Sequence, residues 1–301
     1  MSVPLRLALP LLGLVAAGCS APVVDEDDIA DASEGSTQGI VLVEELVPAQ
    51  GAPQTNVSAK FMRVAAGTDA DVAERVVGSR LDLPQEVPGC AVLPHGGADE
   101  TASTLARGAS ITLLDAGDDV RLTAGDQLVP LDRRAFPDVG GAVFGQFYTS
   151  RDAQTVLPAP AHYVLEISGS AEMERLLVEG DAPAPLAEVE IVGRALDDET
   201  TLHAGADAVV RWQAGGDASD QVYVDVMTVD GGGLRCLFSD RGEGTLPGSL
   251  LRSDVLGALP AAVTVAVHRV RQRPVGTAAN GFLDGEMRFD LGVVGHASIS
   301  H

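Results

Sequence analysis

The feature that most constrains the fold of this chain is a series of short segments in which apolar and polar residues alternate. Residues 222–227 and 263–268 carry valine at every second position. Because successive side chains of a β-strand point to opposite faces, this period predicts strands with one buried face. The chain is poor in aromatic residues, at 4%, and rich in turn formers, with 34 glycines and 17 prolines. Many short strands joined by turns are therefore favoured over long helices.

Strand character recurs along most of the chain. The predicted strands are 40–43, 57–61, 90–93, 110–114, 120–123, 127–131, 143–149, 162–167, 175–178, 188–194, 206–213, 222–227, 234–239, 263–268, 286–291 and 295–299. Residues 69–77 are interpreted as a short helix or a surface loop. Residues 247–259 place leucine and valine at helical spacing before a proline, which predicts a short helix. The sequence therefore predicts an all-β (mainly β) fold with one short helix in its C-terminal part.

The amino-terminal segment has the pattern of an export signal. Arg6 supplies positive charge, a mostly apolar run extends from Leu5 to Ala17, and small residues precede Cys19. The apolar run is too short to span a bilayer as a helix, which takes about 20 residues. Residues 1–18 are therefore predicted to be a cleaved signal peptide.

The order Ala16-Ala17-Gly18-Cys19 resembles the lipobox of bacterial lipoproteins. The lipobox favours leucine three residues before the cysteine, and Ala16 stands there in this chain. The resemblance implies cleavage before Cys19, acylation of its thiol and amine, and anchoring in a membrane. Ser20 is compatible with passage to the outer membrane, by analogy with lipoproteins of Gram-negative bacteria. An ordinary signal peptide cut nearby, which would leave a free thiol, is the alternative.

Two segments have the composition of connectors. Residues 20–38 are small, polar and acidic without apolar periodicity, which predicts a flexible tether. Residues 181–185 contain two prolines, which favour an extended spacer. The predicted organisation is a lipoprotein signal peptide (1–18), a lipidated, acidic, flexible tether (19–38), a β-rich N-terminal domain (39–180), a Pro-rich linker (181–185) and a C-terminal sandwich domain (186–301).

The C-terminal half resembles an immunoglobulin-like sandwich in its size and in its number of alternating strands. Trp212 on an early strand and Cys236 on a later one are similar to the buried tryptophan and cysteine of that fold. The order of these residues differs, and a partner cysteine is absent from this half. We therefore predict two β-sandwich-like domains, of which the C-terminal one is immunoglobulin-like.

Cys90 and Cys236 are the cysteines that remain when Cys19 is assigned to lipid. An exported protein with two further cysteines often pairs them. We expect a Cys90–Cys236 disulfide between the two halves of the chain. Two buried thiols that act as small hydrophobes are the alternative.

The charge of the chain is strongly acidic, with a formal net charge of −23. A field of this sign repels phosphate backbones, so nucleic acid is excluded as a partner. It also argues against adhesion of the protein surface to anionic lipid. The acidity is interpreted as a contribution to solubility, and a specific cationic ligand is the alternative. The predicted partners are the membrane, through the lipid anchor, and an envelope protein or glycan.

Clustered carboxylates on turns are the one candidate ligand site. Calcium takes six to eight oxygen ligands and suits such loops. Two such turns are present, and neither has the spacing of an EF-hand loop, so ordinary solvated turns are the favoured interpretation. No other cofactor is predicted apart from the covalent lipid. The weak calcium candidates are Asp115, Asp118 and Asp119 in one turn and Asp197, Asp198 and Glu199 in the other.

No catalytic pattern stands out in the sequence. The six histidines are not at metal-ligand spacing and are interpreted as surface or loop residues, His268 on the polar side of its strand. Neither Gly169-Ser170 nor Gly248-Ser249 has the Gly-X-Ser-X-Gly pattern of a nucleophile turn. We therefore expect no catalytic residues and no enzymatic activity. An envelope hydrolase or carbohydrate-active enzyme without a visible motif is the alternative.

Three segments, together with the lipobox, the acidic tether and the use of arginine in place of lysine, carry a wider resemblance. They are Val209-Val210-Arg211-Trp212, Leu234-Arg235-Cys236 and Leu246-Pro247-Gly248-Ser249-Leu250-Leu251. The full-length chain resembles surface lipoproteins of myxobacteria-like Gram-negative bacteria, a group without assigned activity. We expect a non-enzymatic lipoprotein anchored in the outer membrane, on its periplasmic or cell-surface face, with a structural, adhesive or partner-binding role. A calcium-binding β-sandwich module is a further alternative.

Overall fold

A computed structural model describes residues 36–94, 111–137, 143–150, 155–196, 200–275 and 284–301. All of these belong to one compact unit. The strands are β1 (Ser36–Pro48), β2 (Gln54–Val64), β3 (Gly89–Leu93), β4 (Ile111–Leu113), β5 (Val120–Ala124), β6 (Gln127–Ala135), β7 (Val143–Ser150), β8 (His162–Ile167), β9 (Leu176–Asp181), β10 (Glu190–Ile191), β11 (Arg194–Ala195), β12 (Thr200–His203), β13 (Ala208–Arg211), β14 (Gln221–Thr228), β15 (Gly233–Ser239), β16 (Glu243–Leu246), β17 (Ala261–Pro274) and β18 (Asp284–Ser300). The helices are α1 (Ala70–Val76) and α2 (Ser253–Leu256).

The strands form two sheets. The larger sheet has 14 strands in the order β3-β15-β14-β17-β18-β1-β2-β4-β7-β6-β5-β8-β9, with β12 added beside β18. The smaller sheet has the order β11-β10-β13-β16. The alternating pattern of the sequence predicted most of the strands, but it missed β12 and β16, and the predicted strand 188–194 is the pair of short antiparallel strands β10 and β11. It also gave no indication that one sheet would run through both halves of the chain.

The first core lies inside the curled half of the larger sheet. The ring of Tyr163 on β8 meets the ring of Phe289 on β18 edge-on, with centroids 5.0 Å apart. Gly180 on β9 permits this approach, since a Cβ there would lie 2.9 Å from the sulfur of Met287. Other buried members are Val41, Val43, Val57, Ala59, Phe61, Leu122, Leu131, Tyr148, Leu165 and Ile167.

The second core lies between the larger and the smaller sheet. Ile191, Val210 and Leu246 of the smaller sheet pack with the valines of β14 and β17. In the C-terminal half, apart from β11 and β12, strands β10, β13 and β16 form one layer. Strands β14, β15, β17 and β18 form the other layer. This division is that of an immunoglobulin-like sandwich. The prediction of an all-β, sandwich-like fold is confirmed.

The predicted disulfide is present. Cys90 on β3 lies directly opposite Cys236 on β15, and the two are bonded across 146 positions of sequence. In antibody domains the bridge joins the two sheets, whereas here it joins neighbouring strands of one sheet. The bond therefore attaches a strand from the N-terminal half of the chain to the edge of the C-terminal sandwich.

Strand β18 is shared by both cores. Met287 and Phe289 belong to the first core, and Ala297 and Ile299 belong to the second. The separate predicted strands 286–291 and 295–299 are one strand, so this prediction was wrong. Gly292 and Gly295 lie between the two predicted segments and do not break the strand. They allow neighbours to pack closely, since a Cβ on Gly292 would lie 2.7 Å from the ring of His268.

In the part of the chain that the structure describes, neither of the two predicted connectors is a free spacer. Strand β1 begins at Ser36, so the last three residues of the predicted tether pair with β2. Ala182 is buried in the first core, and the carbonyls of Ala184 and Pro185 accept hydrogen bonds from Arg269. The division into two domains stays a prediction; each half has its own core, and the larger sheet joins them.

Both helices are short. Asp69 caps α1, because its side chain accepts hydrogen bonds from the backbone N–H groups of Asp71 and Val72. The predicted helix 247–259 is reduced to the four residues of α2. Leu250 and Leu251 lie in turns that precede it, with backbone hydrogen bonds to residues three positions back. Apolar spacing alone did not distinguish these turns from a helix.

Arg269 and Asp240 form a completely buried ion pair. Arg269 Nε donates to Asp240 Oδ2 at 2.8 Å, and both side chains are 1% exposed. The remaining N–H groups of the guanidinium donate to Asp240 Oδ1 and to the carbonyls of Ala184, Pro185 and Gln213. Every donor of this arginine thus has an acceptor.

Removal of the Asp240 carboxylate is expected to destabilise the protein strongly. Asp240→Ala leaves a buried guanidinium without its counter-ion, which typically costs about 3–5 kcal/mol. Glu243→Ala is the matched control, because Glu243 pairs with Arg211 at 3.7 Å on the surface, where a pair contributes about 0–1 kcal/mol. Denaturant unfolding measures both variants. Equal losses in the two would contradict the role assigned to Asp240.

Candidate functional site

A segment of chain without regular structure crosses one face of the larger sheet. We call residues 77–84, which follow α1, the strap. Leu81 and Leu83 of the strap pack against Tyr223, Leu237 and Val270 of the sheet. The strap therefore covers the face of β14, β15 and β17 that points away from the second core.

Cations on three different strands hold the strap through its carbonyl groups. Lys60 on β2 donates to the carbonyl of Val77 at 2.7 Å and to the Ser79 hydroxyl at 3.0 Å. Arg288 on β18 donates to the carbonyl of Ser79. Arg235 on β15 donates to the carbonyl of Asp82 at 3.0 Å. Because hydrogen bonds from charged donors are the stronger kind, the strap is fixed along its length.

A polar cluster lies on the sheet under the leucines of the strap. Tyr223 donates its hydroxyl proton to Asp290 at 2.5 Å, and His268 Nδ1 lies 2.7 Å from the other oxygen of Asp290. The rings of Tyr223 and His268 are stacked, with centroids 4.4 Å apart. Arg235, which is paired with Asp225, also lies over the ring of Tyr223, with its Cζ atom 4.9 Å from the ring centroid.

Burial and hydrogen bonding shift two pKa values in this cluster in opposite directions. Burial raises the pKa of Tyr223, and the neighbouring Asp290 carboxylate adds to the shift. Burial alone would raise the pKa of Asp290, but the hydrogen bonds from His268 and Tyr223 outweigh it and lower that pKa. The cluster therefore holds an ionised carboxylate beneath a neutral phenol.

The interpretation of His268 as a surface histidine was wrong, since its side chain is only 15% exposed. An imidazole oriented by a carboxylate is half of a hydrolytic triad. One face of this imidazole is covered by the ring of Tyr223. The polar face of an alternating strand can be covered by a distant segment, and sequence periodicity does not reveal this.

A small cavity opens beside this cluster, where α1 and the strap meet the ends of β1, β17 and β18. Its volume is about 160 Å³. Its polar lining consists of Gln38, Glu74, Arg80, Gln272, Glu286 and Arg288. Burial raises the pKa of Glu74, and the carboxylate of Glu286 raises it further. One feature of the sequence indicates that this face of the larger sheet is covered. It is the continuous apolar run 40–43, which is typical of a strand buried on both sides.

The structure shows how one of the predicted carboxylate turns is used. Asp115 accepts hydrogen bonds from the backbone of Gly117 and from the hydroxyl of Tyr148. Arg133 lies 3.1 Å from Asp115 and 3.3 Å from Asp118, and Arg121 lies 3.4 Å from Asp119. Each of the three carboxylates thus faces an arginine, and the proposal that calcium binds there stays a prediction.

Other predicted site residues lie outside the described part of the chain. They are Cys19, Asp197, Asp198 and Glu199. Within the described part, no group of three or more histidine, cysteine, aspartate or glutamate side chains is arranged to hold a metal ion. No helix of the described residues has both the length and the apolar character needed to cross a membrane.

Comparison with protein-family models gives no match for this chain, and comparison with curated protein sequences also gives none. The functional argument therefore depends on the residues and contacts described above.

Lys60 gives the stability of the protein a distinctive dependence on pH. Burial lowers the pKa of Lys60 from 10.5 to about 8; the Glu44 carboxylate opposes this shift and the Arg288 guanidinium adds to it. The unfolded chain therefore binds more protons than the folded protein between pH 8 and 10.5, so stability rises with pH in this window.

We compare wild type with Lys60→Met, because methionine does not titrate and all other groups cancel in the difference. The free energy of unfolding of wild type should rise by about 2 kcal/mol relative to the variant between about pH 7.5 and 9.5. Urea unfolding at several pH values measures this difference. A difference that stays constant with pH would show that Lys60 has an ordinary pKa.

Proposed function

We propose that this protein is an exported lipoprotein, anchored through Cys19, that performs structural or partner-binding work in the cell envelope without catalysis. The Cys90–Cys236 disulfide is the observation that carries this proposal. Disulfides persist in oxidising compartments such as the periplasm and the cell surface and are rare in the cytosol. The bond therefore supports the export that the amino-terminal pattern predicts.

The composition of the chain agrees with this location. The net charge of −23 keeps the folded part soluble and repels the anionic surface of a membrane. Anchoring then depends on the lipid at Cys19 and not on the protein surface. The outer membrane is the proposed destination, on either its periplasmic or its cell-surface face.

The use of the buried charges supports a scaffold in place of an enzyme. Arg269 ties together four separate segments, and Lys60, Arg235 and Arg288 hold the strap. Such ion pairs and hydrogen bonds fix one arrangement of the chain, whereas catalytic groups are held facing a cleft. We propose an envelope protein or a glycan as the partner of this scaffold.

Metabolic labelling with palmitate in a Gram-negative host tests the anchor. Wild type should incorporate label and fractionate with membranes, because the acyl chains are attached at Cys19. Cys19→Ala should lose the label. The double variant Cys90→Ala/Cys236→Ala is the matched control. It should keep the label, because it loses only the cysteines of the disulfide and still contains Cys19. Equal labelling of Cys19→Ala and wild type would refute the proposed anchor.

A further inference from the structure

Strand β3 ends the larger sheet and leaves one side of its backbone unpaired. Its partner in the order of strands is β15. The Cα atoms of Cys90 and Cys236 are 4.0 Å apart. This distance is typical of an antiparallel pair that exchanges no backbone hydrogen bonds, so the N–H and C=O groups of Cys90 point away from β15. The same holds for Val92, two residues further along, and these four groups have no hydrogen-bond partner among the described residues.

The side chains at this edge are apolar and partly open to solvent. Val92 is 50% exposed, although Leu234, which lies opposite it on β15, is completely buried in the second core. Cys90 packs against the same core. The apolar face of the second core therefore continues to the edge of the sheet and is half-exposed there.

Strand β3 lacks the features that commonly protect a sheet edge from pairing. Proteins block such edges with charged side chains, prolines or bulges. The sequence of β3, GCAVL, contains neither a charge nor a proline, and its register with β15 is continuous over all five residues. At the other end of the same sheet, β9 contains Glu179 and Asp181. The edge of β3 is therefore suited to accept a further strand.

We propose that β3 binds an extended segment of a partner protein as an added strand. Such a strand supplies backbone donors and acceptors to Cys90 and Val92, and one of its apolar side chains covers Val92. The disulfide fixes β3 to β15 before the partner arrives, which reduces the conformational entropy lost on binding. The inference rests on the partner-binding role proposed above, for which it favours a protein over a glycan.

The charge of the chain favours one kind of partner. A second copy of the chain would bring the same net charge of −23 to the edge, and like charges oppose association. In the segment that leads to β3, Glu86 is exposed, whereas β3 itself is uncharged. An apolar partner strand flanked by basic residues therefore fits the edge.

The probe is a heptapeptide with blocked ends, in which valine and threonine alternate between two terminal lysines. The full chain in detergent is titrated with it by calorimetry. Because an added strand contacts few residues, the expected Kd is roughly 10–500 μM. The same peptide with N-methyl groups along its backbone lacks the amide donors and should not bind. A peptide with glutamates in place of the lysines should bind about fivefold more weakly or worse.

Variants on two edges of the sheet locate the binding. Val92→Lys places a charge on the edge of β3 and should weaken binding of the lysine peptide by about tenfold or more. Leu177→Lys is the matched control, because Leu177 is 48% exposed on β9 at the other end of the sheet; its affinity should equal that of wild type. Val92→Pro removes an N–H group that points away from β15, so it should abolish binding while β3 stays paired with β15.

Hydrogen–deuterium exchange gives a second measurement on wild type. The amide protons of Cys90 and Val92 point to solvent in the free protein, and bound peptide should slow their exchange. Protection that spares both amides would overturn the proposal, because the peptide would then bind elsewhere.

The proposal is also overturned if wild type binds no lysine peptide up to about 5 mM, or if the N-methylated peptide binds equally well. A wild type that sediments as a dimer, together with a Val92→Lys variant that sediments as a monomer, would assign the edge to a second copy and overturn the choice of a partner protein. None of these outcomes bears on palmitate labelling at Cys19, so a failure of this proposal is distinguishable from a failure of the anchor.

Discussion

The buried ion pair between Arg269 and Asp240 is the interaction that fixes the connection between the halves onto the C-terminal core. Arg269 lies on β17, Asp240 follows β15, and the carbonyls that the guanidinium binds belong to the connection between the halves and to the segment after β13. Trp212 also donates to Asp240 at 2.6 Å. A hydrophobic contact would hold these segments together without direction, whereas five directed donors hold them in one arrangement.

Strand β18 complements this ion pair by joining the cores through the backbone. Its parallel pairing with β1 extends from Gln38 to Pro48, and its antiparallel pairing with β17 extends over nearly its full length. Because one strand supplies buried side chains to both cores, neither core can lose it without exposing apolar surface. The two halves are therefore joined by backbone hydrogen bonds of β18, by the hydrogen bonds from Arg269 to residues 184 and 185, and by the disulfide.

Sequence periodicity predicted most strands because a strand with one buried face shows its period locally. It missed what depends on distant partners. The valines of β17 alternate only as far as Val267, yet the strand continues to Pro274 with Arg269 and Arg271 on the same side. Arginine at those positions indicates solvent when the sequence is taken alone; the buried acceptors Asp240 and Asp220 come from elsewhere in the chain.

The candidate site was hidden for the same reason. Its residues come from β1, α1, the strap and β18, and the strap has no periodic pattern of its own. Cys90 and Cys236 were predictable as a pair because they are the only cysteines besides Cys19. Gln38, by contrast, lay in a stretch that was interpreted as tether on the basis of its polarity, and only the pairing of β1 shows that it is buried.

The position of β1 in the interior of the larger sheet has a mechanical consequence. Any pull transmitted through residues before Ser36 enters the protein along the axis of this strand, between β18 on one side and β2 on the other. The load is then shared as shear by both backbone ladders, instead of peeling an edge strand one bond at a time. A chain pulled from this end would therefore resist mechanical unfolding better than one pulled by an edge strand that peels away.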